Sequence, residues 1–204
     1  MRKLTLLLFA STAICTVGQA QVGHLNKTGV PFTTQFKPNT SQTLDIIQDH
    51  RGLMYFANDD GIFEYDGIKI SKWPLLYTQS LSVDEDNIVR VGASDDFGYL
   101  YPNETGMLEY VSLASKVPDS IAIDNIYKTY SIGNRTYYCS LYNIFIVEKD
   151  SIVKIVDLPE NSFWTYPVGG DTLFIGNMNE KGDEAFLYYD DYIHYTNLSL
   201  KGGV

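Results

Sequence analysis

The stretch QDHRGLMYFANDDGIFEYDG, residues 48–67, sets two short aromatic-rich apolar runs between three turn-forming segments. The runs LMYFA (53–57) and GIFEY (61–65) have the composition of β-strands, because aromatic residues favour pleated, half-buried surfaces. The interruptions DHRG, NDD and DG are rich in the residues that form tight turns. With TLDIIQ (43–48) before it and IKISKW (68–73) after it, the stretch predicts an antiparallel meander of four strands.

The same order of strands and turns recurs three more times, and Gly61 and Gly98 stand 37 residues apart. The later predicted strands are 80–83, 88–92, 98–101 and 108–112; 126–131, 136–140, 143–147 and 151–156; and 163–168, 172–176, 185–189 and 192–196. Four-strand meanders at roughly 40-residue spacing are typical of β-propeller blades. The chain is therefore predicted to be all-β, with about four blades of four antiparallel strands. Since four blades is the small end of the range, an incomplete ring is expected.

The predicted organisation places an N-terminal leader before the blades. The predicted segments of the whole chain are a signal peptide (1–20), an extended segment (21–42), blade 1 (43–75), blade 2 (76–113), blade 3 (114–157) and blade 4 with a truncated end (158–204). Two long connections are expected at 113–125 and 177–184. Pro167 predicts an edge or a bend at the end of the first strand of blade 4.

The N-terminal residues have the pattern of a cleavable export signal. Arg2 and Lys3 precede an apolar run from Leu4 to Ile14, and the small-x-small residues 18–20 predict cleavage after Ala20. We therefore expect a periplasmic or secreted protein. A lipoprotein anchored at Cys15 is the alternative, although Ile14 stands where a lipidation signal usually has a small residue.

Charge and cysteine content narrow the classes of function. The formal charge of −10 argues against a nucleic-acid partner and leaves neutral or cationic ligands open. The apolar run of the leader is shorter than the roughly 20 residues that a membrane-spanning helix needs, and no other apolar segment of the sequence approaches that length. After cleavage at Ala20 the one remaining cysteine is Cys139, which is predicted to be a small buried apolar residue in a strand.

Sequence motifs for catalysis or metal binding are missing. The three histidines have no partners at zinc-binding spacing, and DEDN (84–87) lacks the downstream residues of a calcium loop, so it predicts a hairpin turn. Nucleophile-elbow, zincin and phosphate-loop motifs are absent as well. We predict no metal, no cofactor and no enzymatic activity. Acid pairs such as Asp190-Asp191 leave a propeller glycosidase or lyase as a weaker alternative.

Two blades carry residues that resemble a known family. The run GVPF (29–32), Phe36, Gln42, IIQDHRGLMYFANDDGIFEYDG (46–67) and Trp73 resemble the first blade of the two-component regulator propeller proteins of Bacteroidetes-type bacteria. VGASDDFGYLYPNETGMLEYVSL (91–113) resembles the second blade of that family. The shared residues are mostly turn glycines and packing aromatics, so they are specific for architecture and weak for ligand.

The resemblance implies a role in signalling. Members of that family carry further blades, a triple-tyrosine β-sandwich, a membrane helix and an output module such as a histidine kinase or a DNA-binding helix-turn-helix. The chain is thus expected to be a non-catalytic, exported ligand-sensing segment whose partners are a small molecule or oligosaccharide and the remaining blades and triple-tyrosine domain of a longer sensor. The alternative is a secreted propeller that acts by itself as a carbohydrate-binding or protein-interaction scaffold.

Propeller topology predicts where a ligand would bind. In such blades the turns after the second strands and the connections between blades share one rim, called here the connection rim. Carboxylates beside aromatic rings suit the hydroxyl groups and C–H faces of sugars, whereas Asp and Asn also favour turns for structural reasons. The predicted ligand-binding residues on this rim are Asp59, Asp60, Tyr77, Asp95, Asp96, Phe97 and Tyr142.

Overall fold

A computed structural model of the chain describes residues 42–75, 77–160, 162–179 and 182–196. The predicted signal peptide, almost all of the extended segment (21–42) and the end of blade 4 (197–204) lie outside the described residues. The described part contains no helix that is long and apolar enough to cross a membrane.

The described residues form sixteen strands in four sheets, each an antiparallel meander in chain order. The first sheet contains β1 (Thr43–Gln48), β2 (Met54–Asn58), β3 (Gly61–Tyr65) and β4 (Ile70–Trp73), and the second contains β5 (Thr78–Val83), β6 (Val89–Ala93), β7 (Phe97–Pro102) and β8 (Leu108–Ser112). The third contains β9 (Lys128–Ile132), β10 (Arg135–Cys139), β11 (Asn143–Glu148) and β12 (Ser151–Asp157), and the fourth contains β13 (Ser162–Gly169), β14 (Thr172–Asn179), β15 (Gly182–Tyr189) and β16 (Tyr192–Tyr195). The prediction of an all-β chain built from four-stranded propeller blades is confirmed.

The first strands of the blades lie side by side, which makes them the innermost strands. The Leu81 N–H donates to the Asp45 carboxylate (2.9 Å), the Ser80 and Thr129 hydroxyls are 2.7 Å apart, and the Tyr130 hydroxyl donates to the Thr165 carbonyl. These bonds join β1 to β5, β5 to β9 and β9 to β13. The starts of the first strands therefore surround a common axis at the connection rim.

Aromatic and aliphatic side chains fill the space between successive blades. Blades 1 and 2 enclose Tyr55, Ala57, Ile62, Leu81, Val89, Val91 and Leu100; blades 2 and 3 enclose Phe97, Leu113, Val117, Ile126, Tyr138, Phe145 and Val147; and blades 3 and 4 enclose Tyr137, Cys139, Ile144, Ile146, Val156, Leu173, Ile175, Phe186 and Tyr188. Successive blades thus bury facing surfaces against each other, and burial of this apolar area is the main stabilising contribution. Cys139 is buried as predicted, and burial raises the pKa of its thiol to about 12.

Three local predictions have different outcomes in the structure. DEDN forms the predicted hairpin turn, in which the Asp84 carboxylate accepts the Ile88 N–H at 2.8 Å. The connection at 113–125 contains one short 3₁₀ turn, Ala114–Lys116. The loop predicted at 177–184 is wrong, because β14 extends to Asn179, β15 begins at Gly182 and Asn177 pairs with Glu184. The residues at 177–179 and 182–184 show no apolar alternation, but their backbones pair as strands all the same.

Candidate functional site

A pocket of about 460 Å³ opens where the four innermost strands meet at the connection rim. It is named here the axial pocket, and its lining residues are Leu44, Gln79, Tyr127, Lys128, Leu141, Trp164, Thr165 and Tyr166. All four blades contribute to it. Its volume lies within the range of roughly 300–1,000 Å³ that is typical of small-molecule sites.

Blade 4 supplies two large aromatic side chains to the axial pocket. Trp164 and Tyr166 alternate along β13, so they project from the same face of the strand, and each is about half exposed, at 49% and 48%. Gly176 pairs with Trp164 on the neighbouring strand, and a Cβ atom there would lie 3.3 Å from the indole Cε3. The glycine therefore leaves room for the indole beside β14.

Blade 3 supplies the third aromatic ring and a cation. The Tyr127 hydroxyl accepts a hydrogen bond of 3.1 Å from the side-chain NH₂ group of Asn125. The side-chain oxygen of Asn125 accepts a hydrogen bond from the Ser94 hydroxyl. Lys128 follows at the start of β9, where its backbone pairs with Cys139. The Lys128 side chain is exposed, and within the described ranges its ammonium group takes part in no ion pair.

The charge of the axial pocket is opposite to that of the whole chain. The chain carries a formal charge of −10, whereas Lys128 is the one charged side chain among the described lining residues. On the neighbouring strand β1 the Asp45 carboxylate is engaged by the N–H groups of Leu81 and Ile46, both at 2.9 Å. The pocket therefore combines aromatic faces, an amide, hydroxyl groups and one ammonium group.

None of the seven predicted ligand-binding residues is among the residues that line the axial pocket. Tyr77 and Tyr142 are exposed, at 56% and 62%. The Tyr77 N–H donates to the Asp59 carbonyl at 2.9 Å, and its own carbonyl accepts the Ser94 N–H at 3.1 Å. These bonds join the connection between blades 1 and 2 to the turns after the second strands of both blades.

The carboxyl-bearing residues of the rim take part in turn structure. The Asp60 N–H donates to the Asn58 side chain at 3.2 Å, and the Asp95 N–H donates to the Asp124 carbonyl at 3.1 Å. The Asp96 carboxylate accepts the Ser112 hydroxyl at 2.6 Å. Three of the predicted residues thus have a structural role in the backbone or side-chain bonding of this rim.

Phe97 is a core residue. Its side chain is fully buried, and its ring stacks on Phe145 and lies 4.7 Å from the ring of Tyr138 between blades 2 and 3. Its assignment as a ligand contact is therefore corrected. The turn ends at Asp96, and the first residue of β7 already faces the interior.

The opposite rim carries further cavities between adjacent blades. One of about 370 Å³ lies between blades 1 and 2, one of about 420 Å³ between blades 2 and 3, and one of about 330 Å³ between blades 3 and 4. Their charged groups are largely paired: Arg51 with Asp49, Arg90 with Asp84, and Arg135 with Glu148 and Asp191.

Among the described residues no group of three or more His, Cys, Asp and Glu side chains has an arrangement that could hold a metal ion.

The lining residues of the axial pocket were not predicted from the sequence, because the prediction rested on the composition of the turns. A usable signal was present, since propeller topology brings the starts of the first strands to the axis and FWTYPV places two large aromatics at alternate positions there. Lys128 also stands at the start of a predicted first strand. The composition of the turns predicted ligand binding by the acidic residues of the connection rim instead.

Comparison with known proteins finds likeness in fold. No protein-family model matches the chain, and no curated protein matches it. The extracellular domain of the proposed hybrid two-component system BT3049 from B. thetaiotaomicron superposes with a TM-score of 0.59 at 16% identity, over 79% of this chain and 26% of that one. The extracellular domain of the proposed one-component system BT4673 from the same organism gives a TM-score of 0.58 at 12% identity, over 82% of this chain and 23% of that one.

The chain spans about a quarter of the length of these solved structures. At such identities the likeness shows the fold alone. The neighbours are extracellular domains of signalling systems, the kind of regulator that the motifs of blades 1 and 2 resemble.

Proposed function

We propose that the chain is an exported, non-catalytic propeller segment that senses a carbohydrate for a transmembrane signalling regulator. The observation that carries this proposal is the axial pocket, to which all four blades contribute. A ligand bound there contacts every blade at once. Its binding energy therefore favours one arrangement of the blades over others, which is the requirement for a sensor.

The chemistry of the pocket favours a sugar. The faces of aromatic rings carry negative electrostatic potential and attract the weakly positive C–H groups of a pyranose ring. Gln79 and the hydroxyls of Tyr127 and Tyr166 supply hydrogen-bonding groups for sugar hydroxyls. The described lining residues include no carboxylate pair of the kind that glycoside hydrolysis uses, which supports a binding role.

Export and membership of a signalling system rest on two further lines of support. The N-terminal residues have the pattern of a cleavable signal peptide, although they lie outside the described residues. The solved structures of similar fold are extracellular domains of signalling systems. Both agree with a sensor whose remaining blades, triple-tyrosine domain and output module belong to a longer protein.

A binding screen followed by calorimetry tests the proposal. The purified chain is screened against an array of plant, microbial and host oligosaccharides, and the ligands found are measured with the wild type, Trp164→Ala and Tyr101→Ala. Tyr101 is the control because it is an exposed aromatic residue, 51% exposed, that does not line the axial pocket. We expect Trp164→Ala to weaken binding about fivefold or more, since stacking on a large ring contributes about 1 kcal/mol, and Tyr101→Ala to leave it unchanged.

Several outcomes would contradict the proposal. An unchanged affinity in Trp164→Ala would place the ligand outside the axial pocket. Turnover of the bound oligosaccharide, followed by mass spectrometry of the products, would overturn the non-catalytic assignment. An array without any ligand would overturn carbohydrate sensing.

A stand-alone secreted binding protein is the second candidate, because the four described blades form the pocket by themselves. A transcriptional reporter in the native host separates the two. A sensor gives ligand-dependent expression that Trp164→Ala abolishes, whereas a stand-alone binder gives none.

A further inference from the structure

We infer that the ligand of the axial pocket is an acidic saccharide, whose carboxylate or sulfate group pairs with Lys128 while an apolar sugar face lies against Trp164 or Tyr166. The inference rests on the proposed function and specifies the ligand class of the same pocket. It is carried by the ammonium group of Lys128, which has no ion pair among the described residues and lines the same pocket as the aromatic rings.

Lys128 differs from the other described cations because it lines the axial pocket, and several of the others already have partners. Arg90 and Arg135 are in ion pairs, Lys116 pairs with Asp150 at 3.7 Å, and Lys154 donates to the Asp191 carbonyl. Lys128 has no ion pair in the part of the chain that the structure describes. Its charge is thus available to a ligand, whereas using another of these cations would first cost an existing interaction.

The surroundings of Lys128 favour an anion. The other described lining residues are neutral, so no carboxylate of the pocket competes for the ammonium group. The Asp45 carboxylate on β1 is engaged by two N–H groups. A ligand that fills the pocket also displaces water from the aromatic faces, which lowers the local dielectric and strengthens attraction to Lys128.

The aromatic surface identifies the rest of the ligand as ring-shaped and amphipathic. Trp164 and Tyr166 stand two residues apart on one strand face, a spacing of about 6–7 Å that suits neighbouring faces of a short oligosaccharide. A simple inorganic anion would use Lys128 and leave both rings exposed. An acidic saccharide uses the cation and the rings together.

Matched pairs of ligands test the inference. Calorimetry compares trigalacturonate with its methyl ester, and a 6-sulfated galactose disaccharide with its unsulfated form, so that each pair differs in charge. The proteins are the wild type, Lys128→Gln, Trp164→Ala and Lys69→Gln, where Lys69 supplies an equal loss of charge on an exposed turn outside the pocket. The first pair reports on a carboxylate and the second on a sulfate.

We expect at least one acidic member to bind about tenfold more tightly than its neutral partner, the size of one charge-assisted hydrogen bond. Lys128→Gln should remove that preference and leave the affinity of the neutral partner unchanged, while Lys69→Gln should preserve it. Raising the salt concentration from 0.05 to 0.5 M should weaken the acidic ligand only, since the pair is near solvent.

The outcomes separate this inference from the proposed function. If neutral ligands bind as tightly as acidic ones and Trp164→Ala abolishes both, the inference is overturned and the proposed function stands. If the acidic preference survives Lys128→Gln, the assignment of Lys128 is wrong. If no member of either pair binds and the oligosaccharide array is also blank, both fail.

Discussion

At the scale of single residues, Arg90 forms a buried ion pair with Asp84 within blade 2 and also links blade 2 to blade 3. The guanidinium contacts the Asp84 carboxylate at 2.6 Å, donates to the Lys149 carbonyl at 2.7 Å, and lies 5.1 Å from the centre of the Tyr99 ring. Both charged side chains are about nine-tenths buried or more. A charge left alone in such surroundings is costly, so this pair matters more than an exposed one.

Arg90→Met should lower the free energy of unfolding by about 3 kcal/mol, because it strands the Asp84 carboxylate and removes the link to the turn of blade 3. Lys116→Met breaks an exposed pair with Asp150 and is the control, with an expected loss below about 1 kcal/mol. Urea unfolding followed by circular dichroism measures both. Equal losses would show that burial does not govern these pairs.

Asp49 stabilises the turn between β1 and β2 through its charge. Burial alone would raise the pKa of this carboxyl, but hydrogen bonds from the Arg51 guanidinium and from the N–H groups of Leu53 and Arg51 outweigh burial and hold the pKa below its ordinary value of 3.8. Because the folded pKa is depressed, the stabilisation is present above pH 3.8 and is lost as pH falls through the folded pKa.

Asp49→Asn should therefore destabilise the protein by about 2 kcal/mol at neutral pH, the contribution of a hydrogen-bonded charge. The difference from the wild type should stay constant down to about pH 5 and shrink below about pH 4. Urea unfolding at a series of pH values measures it. Two curves that remain parallel to pH 3 would contradict the role of the carboxylate charge.

At the scale of the strand, two glycines show that a sequence pattern can mark where a glycine is required without showing why it is required. Gly61 and Gly98 stand 37 residues apart, at or next to the start of the third strand of blades 1 and 2. Gly61 does have a positive φ of 138°, but Gly98 does not. A Cβ at Gly98 would lie 2.0 Å from the Val111 carbonyl oxygen, and one at Gly61 would lie 2.2 Å from that of Trp73. Close approach to the fourth strand is the shared requirement.

Gly98→Ala should cost about 3 kcal/mol, because backbone atoms of β8 cannot move aside as a flexible side chain would. The control is Gly106→Ala in the β7–β8 turn, where φ is +81° and no atom lies near the added methyl group. Conformational strain alone should cost that variant about 1 kcal/mol. Thermal unfolding compares the two, and a smaller loss at position 98 than at 106 would refute the close contact.

Strand existence was predictable from sequence, whereas the site was not predictable to the same degree. Aromatic runs between Asp-, Asn- and Gly-rich turns identified every strand of blades 1 to 4 to within a few residues, because period-two packing and turn chemistry act locally. The axial pocket depends on the fold bringing together residues more than a hundred positions apart, such as Leu44 and Trp164. No local pattern encodes that arrangement. The turn acids were the locally visible feature, and they lie outside the pocket.

At the scale of the molecule, net charge and local charge point in different directions. The total of −10 suggested neutral or cationic ligands, yet the described lining of the axial pocket carries one positive charge and no negative one. Summed charge governs long-range encounter, whereas the groups within a few ångströms govern the bound state. An acidic ligand is therefore compatible with an acidic chain. It is expected to bind with a modest association rate and to depend on salt.

The blades are joined by both apolar cores and hydrogen bonds, so they should unfold together. The Trp73 indole of blade 1 donates to the Leu108 carbonyl of blade 2 at 2.8 Å, and the Tyr138 hydroxyl of blade 3 donates to the Gly98 carbonyl of blade 2 at 2.7 Å. Arg135 of blade 3 pairs with Asp191 of blade 4 at 2.9 Å. Opening one blade would expose the core that it shares with the next.

The two tryptophans report on this coupling because Trp73 lies in blade 1 and Trp164 in blade 4. Unfolding of Trp73→Phe and Trp164→Phe in urea, each followed by the fluorescence of the remaining tryptophan and by circular dichroism, should give coincident transitions within each variant. Trp73→Phe is expected to shift both signals to lower urea together, since it loses the bond to Leu108. Separate midpoints would mean that the end blades unfold independently, as in loosely coupled repeats. In that case a ligand in the axial pocket would stabilise only the blades it contacts most, and its binding would not be transmitted around the axis.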